Sequence, residues 1–318
     1  MKVILLAAGI GQRLQPITDD IPKPMIKIAG KPILEYILED LLNFGFNDLC
    51  IVVGHEANQI KNYFSNWNKN SCSISFVTQN EYKGTAHAMY LAKDFVKNDP
   101  FLLYLADTII PLDLNDKLSK MVSDVNSMSI LSSKSFVNDS NSVGNVVVKD
   151  NFVKSISEKS ESGETDLAWA GLAFFNDCSI FRVIEGLSPS KHGEYDITNA
   201  MDLVIKQNQI IRNYSCEKFI DCGTPKGLLD GLKFILRKKE LPATSPSSCN
   251  IIEPCYIGIN CTFDTNITIG PFVSLGDNVS IGNNVKINET VVLNNTKISS
   301  NNIISHSIIS EQAKLSVD

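Results

Sequence analysis

Residues 3–25 read VILLAAGIGQRLQPITDDIPKPM. The apolar run 3–8 predicts a buried strand, and two glycines, Gly9 and Gly11, follow it directly. Glycines at this place let backbone N–H groups turn inward and form a nest for phosphate oxygens. The same loop carries two cations, Arg13 and Lys23, and two prolines restrict the backbone on either side of Lys23. The stretch predicts a strand followed by a phosphate-binding loop; the alternative is a tight turn with a solvated Arg and Lys.

Two well-known phosphate-binding motifs do not fit this loop. The dinucleotide-binding fingerprint needs a third glycine where Leu14 stands. The P-loop needs a Gly-Lys-Ser/Thr sequence, which this stretch lacks. The chemistry of the loop has to be inferred from its own charges and from the rest of the chain.

Apolar runs alternate with helical patterns from the N-terminus to about residue 110. Runs 49–53, 72–77 and 101–106 predict further strands, with helices around 33–42, 56–66 and 85–96 between them. This rhythm predicts an α/β fold, with a Rossmann-like mixed, mainly parallel sheet and helices on both faces. Shorter strands follow up to about residue 215, with a hairpin through Lys149, Asp150 and Asn151 and helices around 195–207 and 224–238. Ligands of such sheets collect at the C-terminal ends of the strands.

Composition limits the kind of protein. The chain has 318 residues, which is enough for two domains, and a net charge of −6 disfavours binding to nucleic acid. No apolar run approaches the roughly 20 residues of a membrane span, and no signal peptide pattern precedes Gly9. The eight cysteines form no Cys-x-x-Cys pair, which disfavours zinc. We therefore expect a cytoplasmic protein that binds no membrane.

A six-residue repeat occupies the C-terminal part of the chain. Apolar residues recur every six positions from Ile251 to Leu293, and a second row beginning at Cys255 keeps the same period. This period fits a solenoid of triangular coils, each made of three short strands. The pattern resembles the hexapeptide-repeat left-handed parallel β-helix, and its register slips beyond Leu293. A polar stretch with two prolines, 241–250, precedes the repeat and predicts a linker.

Polar residues follow three more predicted strands. The planar amide of Gln79 can pair with the N3–H and a carbonyl of uracil or thymine, and Gly84 permits close approach of a base. Asp107 and Asp221 stand at strand ends, where one or two carboxylates commonly hold Mg²⁺ beside phosphate oxygens. In isolation, the alternatives are a polar strand end for Gln79 and helix-capping or turn-forming roles for the two aspartates.

The motif G-x-G-x-R-L-x-P-x-T-x(4)-P-K-P at the N-terminus resembles the signature of nucleoside-diphosphate-sugar pyrophosphorylases. The nearest kinds are the glucose-1-phosphate thymidylyl- and uridylyltransferases. The resemblance implies a catalytic domain over 1–240, a linker over 241–250 and a short left-handed β-helix over 251–318. It implies catalytic roles for Arg13 and Lys23 and a Mg²⁺ site on Asp107 and Asp221. The nucleotide contacts that it implies are Leu6, Ala8, Gly9, Gly11, Gln79, Gly84 and Thr85.

Sugar-phosphate contacts are implied by further motifs of the same family. The residues concerned are Gly144, Glu158, Lys159, Gly171 and Glu194. Two positions depart from the family pattern, because Ala106 replaces the glycine before Asp107 and Ser160 replaces the proline after Lys159. For each candidate sugar contact the alternative is a surface charge or a packing glycine.

The implied reaction joins a sugar-1-phosphate to UTP or dTTP and releases pyrophosphate, and we expect a homo-oligomer. Three other functions stay open. A bifunctional enzyme with acyl transfer in the β-helix would have only His306 as base, and a non-catalytic regulator would be expected to lose charged site residues. A transferase for a non-sugar phosphate would not need Glu194 or Gly171. Within the favoured class, the sequence 84–88 (GTAHA) also resembles N-acetylglucosamine-1-phosphate uridylyltransferases.

Overall fold

The computed structural model describes residues 1–67, 72–110, 114–124, 126–134, 143–158, 167–191, 193–238 and 249–317. The helices among these residues are α1 (Ile17–Asp20), α2 (Ile33–Asn43), α3 (Ala57–Ser65), α4 (Thr85–Leu91), α5 (Lys93–Val96), α6 (Leu114–Ser123), α7 (Ser179–Glu185), α8 (Ile197–Lys206) and α9 (Pro225–Lys238), with short 3-10 turns at Gln12–Leu14 and Lys23–Met25. Most of the predicted linker, 241–248, lies outside the described residues.

The strands up to Asp221 are β1 (Lys2–Ala7), β2 (Lys27–Ile28), β3 (Lys31–Pro32), β4 (Asp48–Val53), β5 (Ser73–Thr78), β6 (Phe101–Leu105), β7 (Thr108–Ile109), β8 (Met128–Ser133), β9 (Asn145–Lys149), β10 (Phe152–Ser157), β11 (Leu167–Phe175), β12 (Ile211–Cys216) and β13 (Ile220–Asp221). The later strands are β14 (Cys249–Ile251), β15 (Cys255–Ile257), β16 (Thr262–Phe263), β17 (Ile267–Ile269), β18 (Val273–Leu275), β19 (Ser280–Ile281), β20 (Lys286–Val292), β21 (Lys297–Ile298), β22 (Ile303–Ile309) and β23 (Lys314–Ser316).

The chain forms two compact units, the first from Met1–Gly9 and Leu38–Phe219 and the second from Ile10–Ile37 and Ile220–Asp318. The first unit contains a nine-stranded sheet in the order β5-β4-β1-β6-β11-β8-β12-β10-β9. β10 and β11 run against the other strands, so the sheet is mixed. This confirms the predicted mixed α/β architecture. The predicted hairpin is also present, because β9 pairs with β10 and both Asp150 and Asn151 adopt left-handed backbone angles.

Strand β1 is buried on both of its faces. Ile4, Leu6 and Ala8 belong to one apolar cluster with residues of α4, α7 and α8. The intervening residues Val3 and Leu5 are equally inaccessible to solvent. Because successive side chains of a strand point to opposite faces, both faces of β1 are covered.

The second unit joins the loop that follows β1 to the C-terminal strands. We call the strands from Cys249 to Ser316 the C-terminal strand array. Its first strands pair in parallel with residues 18 positions later, as in Cys249 with Ile267 and Thr262 with Ser280. Apolar rows of the repeat form its own buried cluster. The predicted six-residue periodicity therefore corresponds to a stack of short parallel strands.

Asparagines line two edges of the array. Asn260, Asn278 and Asn295 adopt left-handed backbone angles, and their side-chain amides donate to one another at 3.3 and 2.9 Å. A second row, Asn266, Asn284 and Asn301, makes the same contacts at 2.9 Å. Asparagine tolerates this backbone region better than other residues with a side chain. These rows explain why asparagine recurs where the chain turns between strands.

The register of the array slips earlier than the sequence count predicts. Ile269 pairs with Ile287, 18 residues on, whereas Val273 pairs with Thr290, 17 residues on. The connection after Ile287 therefore has one residue fewer than the connection after Ile269. As a result, Leu275 pairs with Val292 and not with Leu293.

Helix α9 packs against the array within the second unit. Glu289 lies 2.5 Å from the ammonium group of Lys233 and 3.1 Å from Nε2 of His306. The hydrogen bond from Lys233 is the main cause that holds the pKa of Glu289 below its usual value. At the end of the array, β23 turns back antiparallel along β22, so that the chain itself covers part of this strand edge. Among the described residues, no helix is both long and apolar enough to cross a membrane.

Candidate active site

The loop after β1 has the tight geometry that its glycines predict. Gly11 adopts a left-handed backbone (φ 78°), and its carbonyl accepts hydrogen bonds from the N–H of Leu14 at 2.9 Å and the hydroxyl of Thr18 at 2.8 Å. A Cβ atom on Gly11 would lie 3.0 Å from the methyl group of Thr18. A side chain here would be strained by both backbone and packing, which explains the glycine.

Three charged side chains of the second unit converge over Gly223. An ideal Cβ atom at this position would lie 2.7 Å from Oδ1 of Asp221, 2.8 Å from Nζ of Lys23 and 2.9 Å from Nη2 of Arg13. Nη2 of Arg13 also lies 3.0 Å from Oδ2 of Asp221. The structure thus brings the two predicted catalytic cations to one predicted metal ligand.

Asp221 has a donor on each carboxylate oxygen. Oδ1 accepts the N–H of Gly223 at 2.8 Å, and Oδ2 faces Arg13. The side chain of Asp221 is 11% exposed, whereas that of Arg13 is 45% exposed. Arg13 can therefore leave this carboxylate for a phosphate group more easily than Asp221 can move.

The donor set fits a magnesium ion that is completed by its substrate. A carboxylate supplies the hard oxygen that Mg²⁺ prefers, and Mg²⁺ commonly takes one or two carboxylates beside phosphate oxygens and waters. The part of the chain that the structure describes holds no group of three or more His, Cys, Asp or Glu side chains placed for a metal. Asp221 therefore fits a Mg²⁺ ion that has one or two protein carboxylates and takes its other ligands from phosphate and water. Such binding requires Arg13 to share the carboxylate or to leave it.

In the first unit, the predicted nucleotide residues lie at one edge of the sheet. The N–H of Gln79 donates to the carbonyl of Val53 at 2.7 Å, and the N–H of Ala106 donates to that of Leu6 at 3.1 Å. The strand ends that carry Gln79, Ala8 and Asp107 therefore lie along one edge of the sheet, with the end of β4 between those of β5 and β1. Asp107 lies two residues after the end of β6, and Oδ1 of its side chain lies 3.5 Å from the hydroxyl of Thr108.

The amide of Gln79 differs from the sequence expectation. Its Nε2 donates to the carbonyl of Gly84 at 3.1 Å and lies 3.0 Å from Nδ1 of His87. The contact with Gly84 uses one hydrogen of the amide, and the second can be accepted by Nδ1 of His87 where that nitrogen is unprotonated. This contact adds His87, a residue of the 84–88 stretch for which the sequence predicts no role. Pairing of Gln79 with a base stays a prediction.

Gly84 is required by the segment that packs beside it. A Cβ atom on Gly84 would lie 2.5 Å from the carbonyl oxygen of Tyr195. Tyr195 donates its N–H to Lys83 and accepts that of Ala86, both at 2.8 Å. The N–H of Ile197 donates to the hydroxyl of Thr85 at 3.0 Å. The start of α4 is thus held by the residues that lead into α8.

Two of the candidate sugar contacts, Gly144 and Glu158, lie beside Thr198 of α8. The hydroxyl of Thr198 donates to Oε2 of Glu158 at 2.8 Å, and its methyl group lies 3.0 Å from a Cβ built on Gly144. Gly171 has a left-handed backbone (φ 74°) at a bulge of β11. The side chain of Glu194 is exposed, in the segment beside Gly84.

Lys159, the predicted ligand of the sugar phosphate, lies outside the described residues.

A hairpin between the loop and α2 attaches the loop to the array. The N–H of Ala29, between β2 and β3, donates to the hydroxyl of Ser274 at 2.9 Å. Gly30 (φ 87°) lies so close to the ring of Tyr256 that a Cβ would approach it to 2.5 Å. Nζ of Lys27 lies 3.6 Å from Asp277. No pattern in the sequence indicates these contacts, because their partners lie more than two hundred residues apart.

Comparison with known families assigns the chain to one of them. A model of the family described as "Nucleotidyl transferase" matches residues 2–238. The chain belongs to the nucleotidyl transferase family. A second model, described as "GMPPB C-terminal domain", matches residues 251–317. The enzyme class that the sequence predicts is thereby confirmed.

Two curated relatives and one solved structure resemble this transferase. "UTP--glucose-1-phosphate uridylyltransferase AglF" of Haloferax volcanii is 31% identical over 228 residues, which cover 71% of this chain and 93% of AglF. "Bifunctional protein GlmU" of Methanocaldococcus jannaschii is 35% identical over 239 residues, 75% of this chain and 55% of GlmU. The chain thus matches about half of that GlmU. A crystal structure of UDP-glucose pyrophosphorylase complexed with UDP-glucose has a TM-score of 0.67 at 25% identity, covering 75% of this chain and 99% of that one.

Proposed function

We propose that this chain is a sugar-1-phosphate nucleotidyltransferase that uses UTP or dTTP, with glucose-1-phosphate as the first candidate acceptor. The observation that carries the proposal is the convergence of Arg13, Lys23 and Asp221 over Gly223. Two cations and a carboxylate beside a glycine loop suit a highly charged phosphate substrate. The similarity to AglF supports the choice of UTP and glucose-1-phosphate.

The reaction requires positioning more than proton transfer. An oxygen of the sugar phosphate attacks the α-phosphorus of the triphosphate, and the bond between the α-phosphorus and the bridging oxygen breaks to release pyrophosphate. The attacking oxygen is already an anion, so no general base is needed. Arg13 and the glycine loop hold the departing pyrophosphate, and Lys23 neutralises the charge of the transferred group.

We propose Mg²⁺ as the metal, with Asp221 and Asp107 as its predicted protein ligands. When bound, the ion would neutralise phosphate charge and orient the reacting oxygens. Arg13, which pairs with Asp221 in the structure, would then transfer its hydrogen bonds to a phosphate oxygen. The site would thus exchange one cation for another on a carboxylate that keeps its position through the N–H of Gly223.

The remaining predicted contacts divide between base and sugar. Gln79, Gly84 and Thr85 would receive the pyrimidine, beside a nest formed by Leu6, Ala8, Gly9 and Gly11. Gly144, Glu158, Lys159, Gly171 and Glu194 would receive the sugar phosphate. Two consecutive residues of α8 hydrogen-bond to Thr85 of the base group and to Glu158 of the sugar group. These bonds support the placement of the two groups close to each other within the first unit.

N-acetylglucosamine-1-phosphate is the second candidate acceptor, and the similarity to GlmU supports it. For the C-terminal strand array we propose a left-handed β-helix with a role in homo-oligomer assembly and no acyl transfer. His306 lies 3.1 Å from Glu289, which also pairs with Lys233 of α9. Triphosphate and sugar phosphate substrates support a cytoplasmic site of action.

A matrix of substrates tests the proposal. The purified protein is assayed for pyrophosphate release with UTP, dTTP, CTP, GTP and ATP against glucose-1-phosphate, N-acetylglucosamine-1-phosphate and phosphocholine. We expect turnover with both UTP and dTTP, at rates that differ from each other by at most about 100-fold. The other triphosphates should be used poorly. Turnover with phosphocholine alone would overturn the sugar assignment, and a preference for GTP or ATP would overturn the base assignment.

A further inference from the structure

The amide of Gln79 is held from two sides. Gly84 offers only a carbonyl oxygen at 3.1 Å, so the amide nitrogen and not the amide oxygen must face it. The same nitrogen lies 3.0 Å from Nδ1 of His87, which accepts its second hydrogen when Nδ1 is unprotonated. Gln79 is 4% exposed, and the Gly84 carbonyl also accepts the N–H of Ala88 at the start of α4. The orientation of the amide is thus fixed by a helix terminus and an imidazole.

We propose that His87 is a positioning residue for base selection, whose unprotonated Nδ1 fixes Gln79 so that its Oε1 meets the ring N3–H of uracil or thymine. The inference rests on the proposed role of Gln79 in binding the base. Uracil and cytosine have nearly the same size, but position 3 of uracil is a donor and that of cytosine is an acceptor. An amide held with its oxygen outward therefore accepts UTP and repels CTP.

The surroundings of His87 favour the neutral ring that this role needs. Burial is the main cause that lowers the pKa of His87 below its usual value of 6.5, and the nearby charge of Lys83 lowers it further, while Glu81 opposes them. Lys83 and Glu81 pair with each other on the exposed loop before α4. The segment packed against this loop contributes one further titratable side chain, that of Tyr195.

Protonation of His87 would weaken the preference. A protonated Nδ1 is a donor and cannot accept from the amide, so His87 would favour the amide oxygen while the Gly84 carbonyl still requires the amide nitrogen. Gln79 would then lose its single fixed orientation, and its oxygen would face position 3 of the base in only part of the molecules. Because the pKa of His87 is lowered, the neutral form predominates above pH 6.5, and selection weakens as the pH falls through the lowered pKa.

Matched substitutions of His87 test the role. His87→Asn places a carbonyl oxygen close to the position of Nδ1, whereas His87→Phe fills the space without an acceptor. For His87→Phe we expect KM for UTP to rise about 3- to 10-fold, and the ratio of kcat/KM for UTP over CTP to fall at least about tenfold. For His87→Asn we expect the ratio to stay near the wild-type value. KM for the sugar phosphate should be unchanged in both variants.

The pH profile separates positioning from packing. In the wild-type enzyme the UTP-over-CTP ratio should fall as the pH drops through the pKa of His87, and in His87→Asn it should be flat. Equal loss of selectivity in His87→Asn and His87→Phe would assign His87 to packing and overturn the proposal. So would the same pH dependence of the ratio in His87→Asn and in the wild type.

A measurement without substrate completes the test. Nitrogen NMR of the free protein should show that neutral His87 carries its proton on Nε2, and Gln79→Ala should raise the pKa of His87 because the neutral ring loses a donor. A proton on Nδ1 would overturn the proposal whatever the activity. A wild-type enzyme without preference for UTP over CTP would overturn the roles of Gln79 and His87 together, whereas a preference that survives in His87→Phe would overturn that of His87 alone.

Discussion

Ser274→Ala should loosen the hairpin that leads from the charged loop into α2. The hydroxyl of Ser274 accepts the N–H of Ala29 at 2.9 Å, and both residues are 3% exposed. The variant leaves a buried N–H without its acceptor, which costs about 1–3 kcal/mol. The ion pair between Lys27 and Asp277 cannot compensate, because it is 3.6 Å long and about one third exposed and contributes less than about 1 kcal/mol.

Amide hydrogen exchange measures this effect at the residue concerned. A loss of about 1–3 kcal/mol corresponds to about 5- to 150-fold faster exchange at Ala29. The residue-specific measurement avoids assuming a single unfolding transition for a chain of two units. Because Lys23 lies only a few residues before this hairpin, KM for the triphosphate should rise as well, while KM for the sugar phosphate should change less.

Ser280→Ala is the matched control within the same array. Its hydroxyl accepts from Thr262 at an exposed edge and at 3.0 Å, so the loss should stay within about 0.5 kcal/mol. If exchange at Ala29 in Ser274→Ala were no faster than in the control variant, the hairpin would not depend on the array. If Ser274→Ala raised KM for the triphosphate but left exchange at Ala29 as in the control variant, the change in KM would arise elsewhere in the second unit.

Three further predictions concern the charged cluster and the array. Asp107→Asn and Asp221→Asn should each lower turnover at least about 100-fold with the fold retained, and near-normal turnover at saturating Mg²⁺ would remove that residue from the metal site. Gly223→Ala should lower turnover about tenfold or more, because its methyl group would lie within 2.9 Å of three charged groups; Gly186→Ala, whose nearest neighbour is at 3.8 Å, should be near normal, and equal activities would contradict the steric argument. Deleting 251–318 should change the assembly state in light scattering and lower the Tm; acetyl transfer by the intact protein would refute a purely structural array.

Most of the first unit follows from periodicity. Apolar runs and helical spacing predict its first strands and the helices α3, α4 and α8, because each of these elements is decided by residues close together in the chain. Helices α6 and α7 were not predicted. The common edge of Gln79, Ala8 and Asp107 follows too, because the C-terminal ends of neighbouring parallel strands lie side by side. Strand–helix alternation therefore predicts both the sheet and the place of these candidate residues.

The array is predicted less completely. Its six-residue period is a local property and indicates stacked short strands. The register slip is not evident from the local pattern. Leu293 still falls on the six-residue apolar period, although the strand pairing has already shifted by one residue after Ile287. One residue fewer in a turn changes every later pairing, yet it leaves the apolar pattern nearly intact.

The sequence by itself determined the main strands of the first half, several helices, the repeat and the charged loop, because these depend on residues that are near one another in the chain. Only the tertiary structure decided that Arg13 pairs with Asp221, 208 positions away, and that Ala29 donates to Ser274, 245 positions away. It also decided that the amide nitrogen of Gln79 contacts Gly84 and His87. A side chain can be named from the sequence as a donor or an acceptor, but its partner depends on which distant segments the folded chain places within 3 Å of it.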